Sequence, residues 1–234
     1  MKKLNDKISV VIAAYNEAPR IANVLKTVSN HPLADEIIVV NDGSTDNTSD
    51  IVKKFDVKLI ENTTNVGKTL SVQKGINVSK NNIIMLLDAD LIGIDSESIY
   101  KLAEPVLNRQ VDWTLSLRDN SFKIMKLLKM DWLSGERVIP KTLLNDPLIW
   151  SRPDVGYGLE TLMNKSLLSK NKTFRAVRLR NVSDTNKAKK IGFFKGWSDD
   201  FKMIGQISKV IPLHKFFGQF IFMSYLNKKY SKNK

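Results

Sequence analysis

Within its first ninety residues the chain alternates short apolar runs with stretches of helical spacing, and no other feature narrows its fold as much. Lys7–Ala14 is mostly apolar and reads as a buried strand. Ile21, Val24, Leu25 and Val28 then recur at helical spacing. Glu36–Val40 is a second strand, followed by an Asn/Asp/Gly/Ser turn cluster at 41–50. Ile51, Val52 and Phe55 give a short helix its apolar face, Val57–Ile60 a third strand, and Gly67–Val78 a third helix. Ile83–Leu87 is a fourth, fully buried strand. Strands and helices alternating at this pace predict right-handed βαβ units and a largely parallel sheet flanked by helices, an α/β fold.

The second half is less regular. Val111–Leu117 and Phe174–Leu179 read as strands and Phe122–Lys129 as a helix. Leu159, Leu162, Met163 and Leu167 mark a helix after the Gly156-Tyr157-Gly158 turn. The chain has no internal repeat, low-complexity segment or clear linker, so one continuous domain is expected.

Ligands of open α/β sheets lie at the carboxyl ends of the strands. Here those ends are Ala14-Tyr15-Asn16-Glu17, Asn41-Asp42-Gly43-Ser44, Asn65-Val66-Gly67-Lys68 and Asp88-Ala89-Asp90. One such end is a common loop; four together supply carboxylates, amides and a lysine to one crevice. Asp88 and Asp90 follow an apolar run and project from a rigid strand. Left unpaired they repel each other, and a hard cation resolves this. Mg2+ or Mn2+ takes oxygen ligands and bridges carboxylates to substrate phosphates. The alternative is an Asp-rich turn capping the next helix. In Asn41–Asp46, Ser44 or Asp46 is read as a cap for the following helix. Asp42, at the strand tip, is left to accept hydrogen bonds from a base or ribose. Asn65–Thr69 resembles the end of a phosphate-binding GxxxxGK[ST] loop, but position 62 is Asn and the loop follows the third strand.

VVIAAYNE, IIVVNDGSTDNT, NVGKTLS and LLDAD, in this order and spacing, resemble the family 2 glycosyltransferases with the A-type nucleotide-sugar fold. The resemblance covers about residues 7–92. It implies that Ala14, Tyr15 and Glu17 line the nucleotide, that Asp42 contacts the base and Lys68 the base or phosphates, and that Asp88 and Asp90 meet the ribose, diphosphate and metal. Ser134-Gly135-Glu136-Arg137 and Gly156-Tyr157-Gly158-Leu159-Glu160 are similar to segments of the glucosyl-3-phosphoglycerate synthase-like members. Polyprenyl-phosphate glycosyltransferase-like members belong to the same comparison. The similarity implies that Glu136 and Arg137 are acceptor-binding and that Glu160 is catalytic beside the reacting sugar. A structural Glu136–Arg137 ion pair and a helix-capping Glu160 are the alternatives. Where relatives carry a metal-binding histidine, Asn181-Val182-Ser183-Asp184 offers Asp184, which with Asp90 makes the expected metal pair. The implied layout is a nucleotide-sugar half at 1–110, an acceptor half at 111–205 and a basic aromatic tail at 206–234.

Composition limits the partners. There is no cysteine, which excludes disulfides and thiolate metal sites and suits a cytoplasmic protein. Residues 1–168 hold 21 Lys/Arg and 21 Asp/Glu, whereas residues 169–234 hold 16 against 3, so the net +13 resides in the last segment. Val210–Leu226 is rich in Phe, Ile and Leu and runs into lysines, the pattern of an interfacial membrane segment. Packing on the domain or on a second copy of the chain is the competing expectation. The N-terminus lacks a signal-peptide cleavage pattern, and no run reaches the ~18–20 apolar residues of a spanning helix. The basic tail carries no nucleic-acid-binding motif, so no nucleic-acid partner is expected. The expected reaction is sugar transfer from a nucleoside-diphosphate (NDP) sugar to a phosphorylated acceptor, either a lipid phosphate or a small phospho-acid, at the cytoplasmic side of a membrane. The rival class is a non-catalytic nucleotide-sugar-binding or membrane-associated scaffold of the same fold.

Overall fold

A computed structural model describes residues 7–121, 123–127, 129–154, 158–184, 208 and 211–231. Strands β1 (Ile8–Ala14), β2 (Ala34–Asn41), β3 (Lys58–Glu61) and β4 (Ile83–Asp88) alternate with helices α1 (Ile21–Ser29), α2 (Thr48–Val52) and α3 (Lys68–Val78). A short strand β5 (Leu91–Ile92) and helix α4 (Ser96–Leu107) follow. The second half contributes β6 (Trp113–Arg118), α5 (Lys123–Leu127), β7 (Arg137–Pro140), α6 (Gly158–Ser169), β8 (Phe174–Leu179), β9 (Ser183–Asp184) and α7 (Leu213–Ser231). Two 3-10 turns, Lys141–Leu144 and Pro147–Trp150, lie between β7 and α6.

Seven strands form one sheet in the order β3-β2-β1-β4-β7-β6-β8. All its pairings are parallel except those of β7, which runs antiparallel between β4 and β6. Both faces are covered. Val10, Ile12, Val39 and Met85 pack with α1 and α4 on one face. Val11, Ile38, Val40 and Ile84 pack with α3 and α6 on the other. This two-sided burial explains why these strands read as continuous apolar runs. Gly75 lets α3 lie close, since a Cβ there would stand 2.5 Å from Val11 Cγ1.

The four early strands and helices α1 and α3 lie within a residue or two of their sequence positions, whereas α2 begins at Thr48, ahead of its expected apolar face, and leaves Phe55 beyond its end. Helix α4 and strand β7 are additional. Asp95 caps α4 by accepting from the Ser98 N–H at 2.7 Å, so neither Asp88 nor Asp90 is the cap. Residues 156 and 157 of the expected Gly-Tyr-Gly turn lie outside the described residues.

Helix α7 covers the edge strand β8. Asn227 is buried; its Oδ1 accepts from the Ala176 N–H at 2.9 Å and its Nδ2 donates to the Lys129 carbonyl at 2.9 Å. A side chain thus satisfies a backbone donor that the sheet edge leaves open. Asn227→Ala should lower stability by about 1–3 kcal/mol, the cost of leaving buried polar groups unpaired. Denaturant unfolding checks this, and an unchanged midpoint would show that Asn227 does not fasten the helix.

Candidate active site

Strand order reverses between β1 and β4, with β2 on one side of β1 and β4 on the other. Register sets Ala13 beside Asp88 and Ala14 beside Asn41. The crevice beyond these ends is the topological switch point where open α/β sheets bind ligands. A cavity of about 330 Å³ lies there, lined by Ala14, Tyr15, Glu17, Asp42, Lys68, Asp88 and Asp90. All the donor-side residues singled out in the sequence therefore share one cavity.

The loops around it are laced together. The Asn16 N–H donates to Ser44 Oγ at 2.9 Å, and the Thr45 N–H donates to Asn16 Oδ1 at 2.8 Å. The Glu17 N–H donates to Thr48 Oγ1, and that of Ala18 to Asp46 Oδ2. Ser44 and Asp46 thus tie the first loop to the second. Asn47, not Ser44, sits at the α2 cap and makes no side-chain cap bond, while Asp46 accepts from the Thr48 N–H at 3.0 Å. Asp42 is nearly buried and its carboxylate braces the third loop. It accepts from the N–H groups of Val66 and Gly67 and from Asn62 Nδ2, each at 2.9 Å. Tyr15, 45% exposed, stands at the mouth.

Asp88 lies at the junction of the two halves. Lys68 Nζ stands 2.8 Å from Asp88 Oδ1 and 2.9 Å from Glu160 Oε1, linking α3, β4 and α6. Arg118 Nη1 lies 3.8 Å from Asp88 Oδ2 and 3.2 Å from Glu136 Oε1. Burial opposes charge on both Lys68 and Asp88. Asp88 and Glu160 outweigh it at Lys68, whose pKa is raised, and Lys68 and Arg118 outweigh it at Asp88, whose pKa is lowered. Gly135 lies against this carboxylate: a Cβ there would meet both Asp88 oxygens at 2.5 and 2.7 Å. Glu160, at the start of α6, is 4% exposed, and its Oε2 has no partner. It reaches Lys68 rather than serving as a helix cap.

Glu136 and Arg137, expected on the acceptor side, are fully buried with their polar atoms taken by the protein. Glu136 Oε2 accepts from Ser116 and Ser134 at 2.6 and 2.7 Å, and burial raises its pKa against the opposing charge of Arg118. Arg137 donates to the Ser134 and Trp132 carbonyls and to Asn164 Oδ1, and stacks over Trp113 at 5.5 Å. Burial pulls its pKa down to about 10. They also do not pair with each other, the alternative to acceptor binding; their polar atoms are satisfied inside the protein behind the crevice. Arg118 escaped the sequence reading, and Gly135 was noted only within Ser134–Arg137, without a role. The strand-end rule that singles out Asp42 and Asp88 also finds Arg118 when applied to β6.

The charge of Asp90 acts on both Glu17 and Arg20 beside it. Burial raises the Glu17 pKa, Arg20 at 2.6 Å opposes it, and the charges of Asp90 and Asp46 add to it. Among the described residues no cluster of three or more His, Asp or Glu encloses a metal by itself. An Mg2+ or Mn2+ site needs only one or two carboxylates when substrate phosphates and waters complete it, and the donor set at Asp90 fits that pattern. Strand β9 pairs with β5 so that the Asp184 backbone lies opposite Leu91, the residue after Asp90. The Asp184 side chain lies outside the description.

Comparison with known proteins agrees with this geometry. The family model described as glycosyl transferase family 2 matches residues 9–169. The poly-beta-1,6-N-acetyl-D-glucosamine synthase of Staphylococcus epidermidis is 33% identical over 102 residues, 42% of this chain and 25% of that protein. A dolichyl-phosphate beta-glucosyltransferase of Trichomonas vaginalis is 39% identical over 94 residues, 34% of this chain and 28% of that protein. The chain thus spans about a quarter of the length of these relatives. In fold it is similar to glucosyl-3-phosphoglycerate synthase of Mycobacterium tuberculosis, solved with Mn2+, uridine-diphosphate and phosphoglyceric acid. The TM-score is 0.68 and the identity 21%, over 89% of this chain and 79% of that one. The family match runs from β1 through α6 and takes in the crevice at the switch point and the residues behind it, so the chain belongs to glycosyl transferase family 2.

Proposed function

We propose that this chain transfers a sugar from an NDP-sugar to a phosphorylated acceptor, with Mg2+ or Mn2+ held at Asp90. The observation that carries the reading is the single cavity at the switch point, lined by residues from four strand ends. Asp42 holds the third loop against the crevice, and Tyr15 at the mouth offers a flat face to a base. Lys68 offsets the charge of Asp88 and Glu160 and presents its ammonium to the donor phosphates. Asp90 would hold the metal, with Asp184 as second carboxylate. The metal when bound acts as a Lewis acid on the departing diphosphate. Glu160, whose Oε2 is unpartnered, accepts a hydroxyl of the sugar or acceptor there and serves as the catalytic carboxylate.

Two similarities support a phosphorylated acceptor: one relative's name includes dolichyl-phosphate, and the similar fold was solved with phosphoglyceric acid. We place the chain in the cytoplasm at a membrane face. No helix among the described residues is long and apolar enough to cross a membrane, and the basic α7 supports contact with its surface.

Asp90→Ala should lower Mn2+-dependent release of nucleoside diphosphate by about a hundredfold or more, the scale of losing one electrostatic stabiliser. Undiminished turnover would contradict the metal assignment. Gly135→Ala puts a methyl group into the Asp88 carboxylate. It should cut kcat/KM by about a hundredfold, as sub-ångström to ångström misplacement does, while costing about 1–3 kcal/mol of stability. Wild-type kinetics in this variant would show that the seat of Asp88 is immaterial to transfer.

A further inference from the structure

A groove of about 910 Å³ runs between α5, β8 and α7, outside the donor crevice. Arg118 lines this groove, and its nearly buried guanidinium lies 3.8 Å from Asp88, which lines the donor crevice. Lys126, Lys129 and Lys228 also line it; none of the three lies within 4.0 Å of a carboxylate among the described residues, though the charge of Lys126 acts on Asp119. The groove's carboxylate, Asp119, is already 3.3 Å from Arg178.

The ridge beside this groove is apolar. Leu127, Ile221 and Tyr225 are 76%, 66% and 61% exposed, the three most exposed large apolar side chains among the described residues. Leu127 and Tyr225 line the same groove, and Ile221 and Phe222 lie four and three residues before Tyr225, on the same face of α7. The opposite side of α7 is fastened to the domain: Phe220 packs on Trp132 at 4.2 Å, Met223 is buried, and Asn227 bonds to β8. The apolar face is therefore held outward by the fold.

An apolar ridge bordered by unpaired lysines has the chemistry of a surface that lies in the headgroup region of a membrane. A second copy of the chain fits less well, because a two-fold contact would bring the same lysines together. We propose that the α5–α7 ridge docks on an anionic lipid surface, with its lysines on the headgroup phosphates and the adjoining groove open to a lipid phosphate. This deepens the proposed transfer by naming the source of the acceptor, and rests on that reading for the acceptor alone. Lipid binding itself requires neither donor nor metal.

The test is co-sedimentation of the full chain with vesicles of mixed phosphatidylglycerol and phosphatidylcholine, and of phosphatidylcholine alone. Wild type should bind the mixed vesicles, release in high salt and ignore the neutral ones. Each lysine near an anionic surface contributes about fivefold in affinity, so K126S/K129S/K228S should bind about a hundredfold more weakly. I221S/F222S/Y225S should lose binding, while K26S/K54S/K101S on other surfaces should bind as wild type. Thermal unfolding confirms that each variant is folded, and Asp90→Ala should still sediment, which separates failure of docking from failure of transfer. Three results would overturn the proposal: no sedimentation of wild type, equal binding by the K126S/K129S/K228S variant, or a dimer without lipid binding that dissociates in I221S/F222S/Y225S.

Discussion

The structure turns on the carboxylate of Asp88. Lys68 reaches it from α3 and Arg118 from β6, and Gly135 leaves room for it behind the strand end. A carboxylate withdrawn from water is tolerated only when paired. These two cations outweigh burial and keep it charged. Through Lys68 the same node holds Glu160 at the start of α6. The parallel first half and the irregular second half thus meet at one charge, and Glu160 of the second half is positioned by a lysine of the first.

This node divides the labour within Asp88-Ala89-Asp90. Mutual repulsion of the two carboxylates first suggests a shared metal. In the fold, Lys68 and Arg118 already serve Asp88, while the charge of Asp90 acts on Glu17 and Arg20. The proposed metal role is accordingly given to Asp90, with substrate phosphates and waters completing the site. The backbone of Asp184, set opposite Leu91 by β9, comes from far along the chain to the same end of the crevice.

The parallel core was legible because strands buried on both faces leave continuous apolar runs, as in Val10–Ala14 and Ile83–Leu87. The donor crevice was legible because its residues stand at the ends of those runs. Where burial depends on distant partners, the sequence is less telling. Glu136 and Arg137 look like ligand-facing charges, yet Ser116, Arg118, Asn164 and the Trp132 carbonyl satisfy them inside the protein. Strand β7 is four residues long and ends in Pro140, too short to show a period. Helix α4 carries Pro105 near its end, which disguises an otherwise helical apolar spacing. The apolar and basic character of α7 was visible, but which side faces outward depends on Asn227 and Phe220 finding β8 and Trp132.

The claim that this crevice holds an NDP-sugar together with a divalent metal is tested most directly by thermal unfolding with UDP-, GDP- and dTDP-sugars, each with and without Mn2+. A ligand that binds only the folded state at a hundred times its Kd stabilises it by about 2.7 kcal/mol, several degrees for a chain of this size. The account predicts such a rise for at least one donor, dependent on Mn2+ and absent in Asp90→Ala. An unfolding temperature unmoved by every donor, or a rise indifferent to Mn2+ and to Asp90, would contradict it.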